Sequence, residues 1–126
     1  MGVWCGSQVL LIKNSYKPCF ALPGGGRHRG ETWADAGARE LVEEVGIQVD
    51  ARALRQTFET TSTQEYKRDR VRFFEIDLET PPAVRVDRRE VEWGAFLDVA
   101  AVLRLPLSPV ARSYVEDAAR RRSLIP

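Results

Sequence analysis

The sequence predicts an α/β domain, and three observations carry that prediction. Apolar or alternating runs of strand length, among them Val9 to Lys13 and Glu65 to Leu78, lie on both sides of an amphipathic helical segment that starts near Glu31 or Thr32. A second helical pattern follows Ser108-Pro109. Breakers separate these segments, chiefly Leu22-Pro23-Gly24-Gly25-Gly26 and Glu79-Thr80-Pro81-Pro82. At 126 residues, 44% hydrophobic and 29% charged, the chain suits one globular domain over residues 1–126 with its own core.

Taken in order, Val3 to Cys5 and Val9 to Lys13 read as strands around a Gly6-Ser7 turn. The second is a continuous apolar run, Val-Leu-Leu-Ile, of the kind buried on both faces. Asn14 to Pro18 is a loop, and Cys19 to Leu22 a short strand running into the glycines. After the first helix, Val49 to Glu59 and Glu65 to Leu78 are expected to pair as strands, with Thr60 to Thr63 as the connection. Val84 to Val86 is a candidate short strand and Asp87 to Glu90 a charged loop. Glu90 to Leu97 reads as a strand with Trp93 and Phe96 turned to a core, followed by a short helix to Leu103 capped by Asp98. Ser108 caps the last helix and Pro109 takes its first position; it runs to about Arg121, burying Val110, Tyr114 and Ala118. Arg120-Arg121-Arg122 suits its negative end.

The densest chemistry lies between Gly25 and Ile47. At about 100° per residue, Glu40, Glu43 and Glu44 project from one helix face. Crowded carboxylates repel, whereas a hard divalent cation with oxygen ligands, Mg²⁺ above all, would turn repulsion into coordination. Ala34, Ala38, Leu41, Val42 and Val45 form the opposite, core-facing stripe. Three glycines ahead of the helix permit close backbone approach to a phosphate or metal, and Gly46 supplies its C-terminal stop. Glu31 sits where the helix dipole favours a carboxylate, and Arg39 can hold a glutamate in orientation. Trp33 opens the helix on the carboxylate side, so it lines the site.

Gly25-x5-Glu31-x7-Arg39-Glu40-Leu41-x-Glu43-Glu44-x-Gly46-Ile47 resembles the Nudix box of the Nudix hydrolases at every specified position. A chance match is on the order of one in a billion per register at average residue frequencies. The resemblance implies an α/β/α sandwich on a mixed sheet, and hydrolysis of a phosphoanhydride bond in a nucleoside diphosphate linked to another moiety. It implies Glu40, Glu43 and Glu44 as ligands of Mg²⁺, with Mn²⁺ as a possible substitute, together with a backbone carbonyl from the Gly24-Gly25 turn. Glu31 and Arg39 become the supporting pair. The general base stays open between a box glutamate, Glu43 or Glu44, and a downstream one, Glu65, Glu90 or Glu92. Neither the proline of the ADP-ribose-cleaving members, where Thr63 stands, nor the tyrosine of the diadenosine polyphosphate enzymes, which Tyr66 narrowly misses, is in place. A short MutT-like nucleoside triphosphate pyrophosphatase is compatible with what remains, as is the homodimer common in the family.

Substrate contacts are open. Arg27 and Arg29 are best placed to clamp phosphate, with Gly25 and Gly26 beside them; Lys17, Lys67, Arg68, Arg70 and Arg72 are equally readable as solvated charge. Tyr16, Trp33, Tyr66 and Phe74 can stack a base or fill a core, and His28 between its two arginines reads as an exposed loop residue. With 19 basic against 18 acidic residues, the net charge of +1 argues against a nucleic-acid partner and a charged membrane surface. No run approaches the ~18 apolar residues of a membrane span. The start lacks a secretory pattern, which points to the cytoplasm, with Cys5 and Cys19 reduced. Against the enzyme stands a silent domain of the same family, binding a nucleotide as sensor or adaptor; the intact Glu40, Glu43 and Glu44 favour the enzyme.

Overall fold

The computed structural model describes residues 1–62 and 69–126. Six strands form one mixed sheet: β1 (Gly2–Cys5), β2 (Gln8–Asn14), β3 (Phe20–Ala21), β4 (Arg55–Ser62), β5 (Asp69–Asp77) and β6 (Val91–Asp98). Three helices accompany it: α1 (Trp33–Val45), α2 (Val99–Val102) and α3 (Pro109–Arg121). The strand β1 pairs parallel to β5, and every other pairing is antiparallel.

The organising strand is β2. Its full length pairs with β6, from Gln8 opposite Asp98 to Asn14 opposite Val91. Its other edge takes β1 at Val9 and β3 at Ile12. That fork brings the end of β3, and hence the glycine loop, over the same sheet face as α1. The uninterrupted apolar run of β2 is explained by helices on both faces. Val9 and Leu11 join Trp4, Phe73, Tyr114, Val115 and Ala118 beneath α3, whereas Leu10 and Ile12 join Val3, Leu41, Val45, Ile76 and Val91 beneath α1. The expected α/β/α layering on a mixed sheet is therefore present.

The helix ends follow their sequence signals. Thr32 and Asp35 form a reciprocal capping box at the start of α1, and Gly46 ends it in the left-handed region at φ 69°. Asp98 caps α2 by accepting from the Ala100 N–H, and Ser108 caps α3 by accepting from Ala111.

Several expectations shift. The segment from Val49 does not enter the sheet at once: Asp50 accepts from the Arg52 N–H and starts a 3-10 turn at Ala51–Ala53, so β4 begins at Arg55. Thr60 to Ser62 extend β4 rather than forming a turn, pairing with Val71, Arg70 and Asp69; Thr63 and the predicted strand start at Glu65 lie outside the described residues. Val84 to Val86 lies alongside α1 rather than in a strand, with the Arg85 N–H donating to the Val45 carbonyl. Val42 is 50% exposed because it sits about 100° from Leu41, past the edge of the arc that faces the sheet. Trp93 is a third exposed, meeting Phe20 edge to face at 5.4 Å, and Val110 only flanks the core.

Arg120 and Arg121 stand in the last turn of α3, as the sequence suggests, and Arg121 and Arg122 also tie the helix end to the sheet. Glu75, buried on β5, accepts from Arg121 Nη2 (2.6 Å), Arg122 Nη2 (2.9 Å) and the Tyr114 hydroxyl (2.7 Å), and Arg122 also reaches Asp77. Burial alone would raise the Glu75 carboxyl, yet these donors outweigh it and hold it near 2. Both cysteines are free thiols. Among the described residues no helix is long and apolar enough to cross a membrane.

Candidate active site

The helix α1 presents its acidic residues at graded depth because they sit at different angles to the sheet. Glu44 lies about 60° from Leu41, inside the buried arc, and is only 6% exposed. The Glu40 side chain stands at the edge of that arc at 15%, and Glu43 on the outer side at 55%. The segment is thus amphipathic with one charged residue on its apolar side.

Glu44 reaches back to the glycine loop and accepts the Gly24 N–H at 2.8 Å. Burial pushes its carboxyl up to about 7; the Gly24 hydrogen bond opposes the shift, and the charges of Glu40 and Glu90 add to it. Among the described residues no cationic side chain pairs with it. The loop that supplies Gly24 is fixed from behind by the Met1 nitrogen, which donates to the Pro23 carbonyl at 2.7 Å.

Arg39 is the hub of the outer part. Its Nε donates to Glu31 (2.8 Å), its Nη1 to Glu40 (3.0 Å) and Glu43 (3.2 Å), and its Nη2 to the Gly26 carbonyl (2.9 Å). Glu31 also accepts the His28 N–H at 2.7 Å. The Arg39 guanidinium, followed by that backbone donor, holds the Glu31 carboxyl well below the usual carboxylate range. One guanidinium thereby sets three carboxylates and the loop backbone in a single arrangement. Gly25 leaves room for the Glu40 carboxylate: a Cβ there would stand 2.6 Å from Glu40 Oε1, so the carboxylate would have to shift. Gly26 contributes its carbonyl to Arg39.

The structure therefore brings together Glu31, Arg39, Glu40, Glu43, Glu44 and the Gly24–Gly26 backbone. Arg39 stands among the outer carboxylates, and no group of three His, Cys, Asp or Glu among the described residues converges into a ready cation site. Of the downstream glutamates, Glu90 is exposed ahead of β6, Glu92 is paired to Lys13 at 2.8 Å, and Glu65 lies outside the described residues, as do Tyr66, Lys67 and Arg68. Arg27 and Arg29 are exposed, as is His28. Phe74 packs in the core beneath α1, and Tyr16 is on the surface. Sequence reasoning placed Trp33 at the site but missed what it holds: the Cζ atoms of Arg27 and Arg72 lie 4.5 and 4.8 Å from its ring centroid. Neither contact leaves a trace in sequence spacing, since Arg72 arrives from β5.

A fold of this kind carrying this loop and helix defines a family, and the model of the NUDIX domain matches residues 3–122. The chain belongs to the NUDIX domain family. It is 50% identical over 44 residues to an ADP-ribose pyrophosphatase of Methanocaldococcus jannaschii, a stretch that makes up 32% of this chain and only 26% of that protein. In fold it is similar to a C. elegans Ap4A hydrolase, with a TM-score of 0.80 at 17% identity over 98% of this chain and 95% of that one. It is similar also to a bifunctional NMN adenylyltransferase/ADP ribose pyrophosphatase of Francisella tularensis complexed with AMP and a Mn ion. There the TM-score is 0.78 at 17% identity, over 96% of this chain and 40% of the other.

Proposed function

We propose that the chain is a pyrophosphohydrolase that cleaves a phosphoanhydride bond in a nucleoside diphosphate linked to another group, with Mg²⁺ as its cation and Mn²⁺ as a substitute. The observation that carries this reading is Glu44, a buried carboxylate with no cationic side chain paired to it among the described residues, next to Glu40 and Glu43 and under a glycine loop. By donor chemistry the residues suit a hard divalent ion, with carboxylate oxygens of Glu40, Glu43 and Glu44 and the Gly24 carbonyl as donors, although Glu40 and Glu43 would have to turn from Arg39 to converge on it. The desolvation cost of Glu44 is what a bound cation would offset. Such an ion, when bound, supplies Lewis acidity and neutralises charge on a diphosphate. Nucleotide substrates are supported by the names of the relatives, which act on ADP-ribose and Ap4A or carry AMP.

The chain's own residues divide the remaining work. Arg39 ties Glu31, Glu40 and Glu43 into one arrangement, which limits how far each has to move to meet a cation. The Gly24 N–H fixes the Glu44 carboxylate. Among the described downstream candidates, Glu90 is exposed and Glu92 is paired to Lys13, which favours Glu90 as base over Glu92. Arg27 and Arg29 offer donors to the phosphates from the loop.

The test is phosphate or pyrophosphate release from nucleoside triphosphates, dinucleoside polyphosphates and nucleotide sugars, with Mg²⁺, with Mn²⁺ and with chelator. Metal-dependent release on one class supports the reading and names the substrate. Absence of release with retained nucleotide binding leaves a silent binding domain in its place.

A further inference from the structure

Three segments far apart in sequence meet at the N-terminal end of α1. Trp33 is the first residue of the helix, Arg27 comes from the glycine loop, and Arg72 from β5. Both guanidinium groups lie over one indole, their Cζ atoms 4.5 and 4.8 Å from its centroid, so two like charges share one aromatic partner. Their counter-charge is thin. Arg72 approaches Glu59 only at 3.8 Å, and Glu59 is already engaged by Arg70 at 3.1 Å. Among the described residues no carboxylate pairs with Arg27. A guanidinium that stacks by its face keeps its in-plane N–H donors free, and those donors match the oxygens of a phosphate. Two cations meeting on one ring, with only one long ion-pair contact between them among the described residues, invite an anion, as converging carboxylates invite a cation.

The position matches the proposed chemistry. Trp33 lies two helical turns before Glu40 on the same face, about 10 Å along the axis. Arg27 follows Gly26, whose carbonyl Arg39 binds, so the loop links the two groups directly.

We propose that Arg27, Trp33 and Arg72 form a second anion subsite, which binds a phosphate of the substrate lying beyond the scissile anhydride. Trp33 is its positioning residue and the two arginines its donors. Resting on the pyrophosphohydrolase reading, the subsite directs the enzyme toward nucleotides with a chain of three or more phosphates over diphosphates capped by an uncharged sugar.

The probe is inorganic tripolyphosphate, titrated calorimetrically into the whole chain with Mg²⁺ present, alongside KM for a nucleoside triphosphate. Arg72→Gln and Trp33→Ala should each weaken tripolyphosphate binding about tenfold, the loss expected for a charge-assisted hydrogen bond. Both should raise KM by a similar factor with little change in kcat. Trp33→Phe keeps a ring under the guanidinium groups and should recover most of the affinity, which a merely structural role for the indole would not predict. Equal tripolyphosphate affinity in wild type and Arg72→Gln overturns the subsite. So does a loss in Arg72→Gln that is no greater for tripolyphosphate than for the uncharged-capped ADP-glucose. Should no nucleotide be hydrolysed, the hydrolase reading falls, while the tripolyphosphate titration still decides the subsite.

Discussion

Replacing Glu44 by glutamine separates the cost of the carboxylate from its shape. The amide fills the same space and can still accept the Gly24 N–H, so the change removes mainly a buried charge. In the folded chain the carboxyl titrates near 7 instead of 4.5. Folded protein therefore holds a proton that unfolded protein has released between those values, and stability falls as pH rises through that window. At roughly 1.4 kcal/mol per unit, the penalty above pH 7 amounts to about 3 kcal/mol. In chelator at pH 8.5, Glu44→Gln should melt higher than wild type, by on the order of 10 °C for a domain of this size. At pH 4 the two should melt together. Adding Mg²⁺ at pH 8.5 should raise the wild-type midpoint by mass action and leave the variant almost unmoved, while turnover in the variant drops by a hundredfold or so. Scanning calorimetry across pH, with and without Mg²⁺, reads all of this. A gap between wild type and variant that is the same at pH 4 and pH 8.5 would refute the assignment of Glu44 as an uncompensated buried carboxylate.

Gly25→Ala should leave the midpoint within a few degrees, because the added Cβ meets only the movable end of Glu40, yet cut kcat about tenfold by displacing that carboxylate; steady-state kinetics beside a melting curve checks both halves. Arg39→Gln abolishes the shared donor of Glu31, Glu40 and Glu43 and should lower kcat by about tenfold or more, with a higher Mg²⁺ requirement as the freed carboxylates spread, measured by metal titration of activity. Glu75→Gln removes the buried carboxylate that Arg121 and Arg122 share, leaving them only the exposed Asp117 and Asp77, and should cost roughly 3 kcal/mol in urea unfolding at pH 7. Because the Glu75 carboxyl is depressed in the fold, that wild-type advantage should be present above about pH 4.5 and fade as pH falls toward 2.

What sequence spacing conveys is local. Thr32, Asp35 and Gly46 are legible as helix punctuation because each acts on backbone within a turn of itself, and the angular relation of Glu40, Glu43 and Glu44 follows from helix geometry alone. Their relation to the sheet does not. Placing Val42 in the apolar stripe rotates the helix the wrong way; the arc that faces the sheet runs from Glu44 to Ala38, which leaves Val42 outside and carries a glutamate in. The same limit explains why the sheet contacts of Arg121 and Arg122 are invisible in the sequence. Their nearest visible partner is the helix terminus, whereas the strands place Glu75 and Asp77 within reach through the β1–β5 pairing.

These two displaced readings differ in energetic sign. At Glu75 the fold surrounds a buried carboxylate with two guanidinium groups and a hydroxyl, so the charge is settled and the residue anchors α3. At Glu44 the fold offers one backbone N–H and the nearby Met1 amino group, itself pushed by burial toward its neutral form, and among the described residues no cationic side chain pairs with it; Arg39 directs its donors to Glu31, Glu40, Glu43 and Gly26. One buried glutamate is fully neutralised and the other bears most of its own desolvation, a difference that the proposed cation would remove. That contrast, internal to one molecule, is the physical reason to look for the cation at Glu44 and not elsewhere in the described residues.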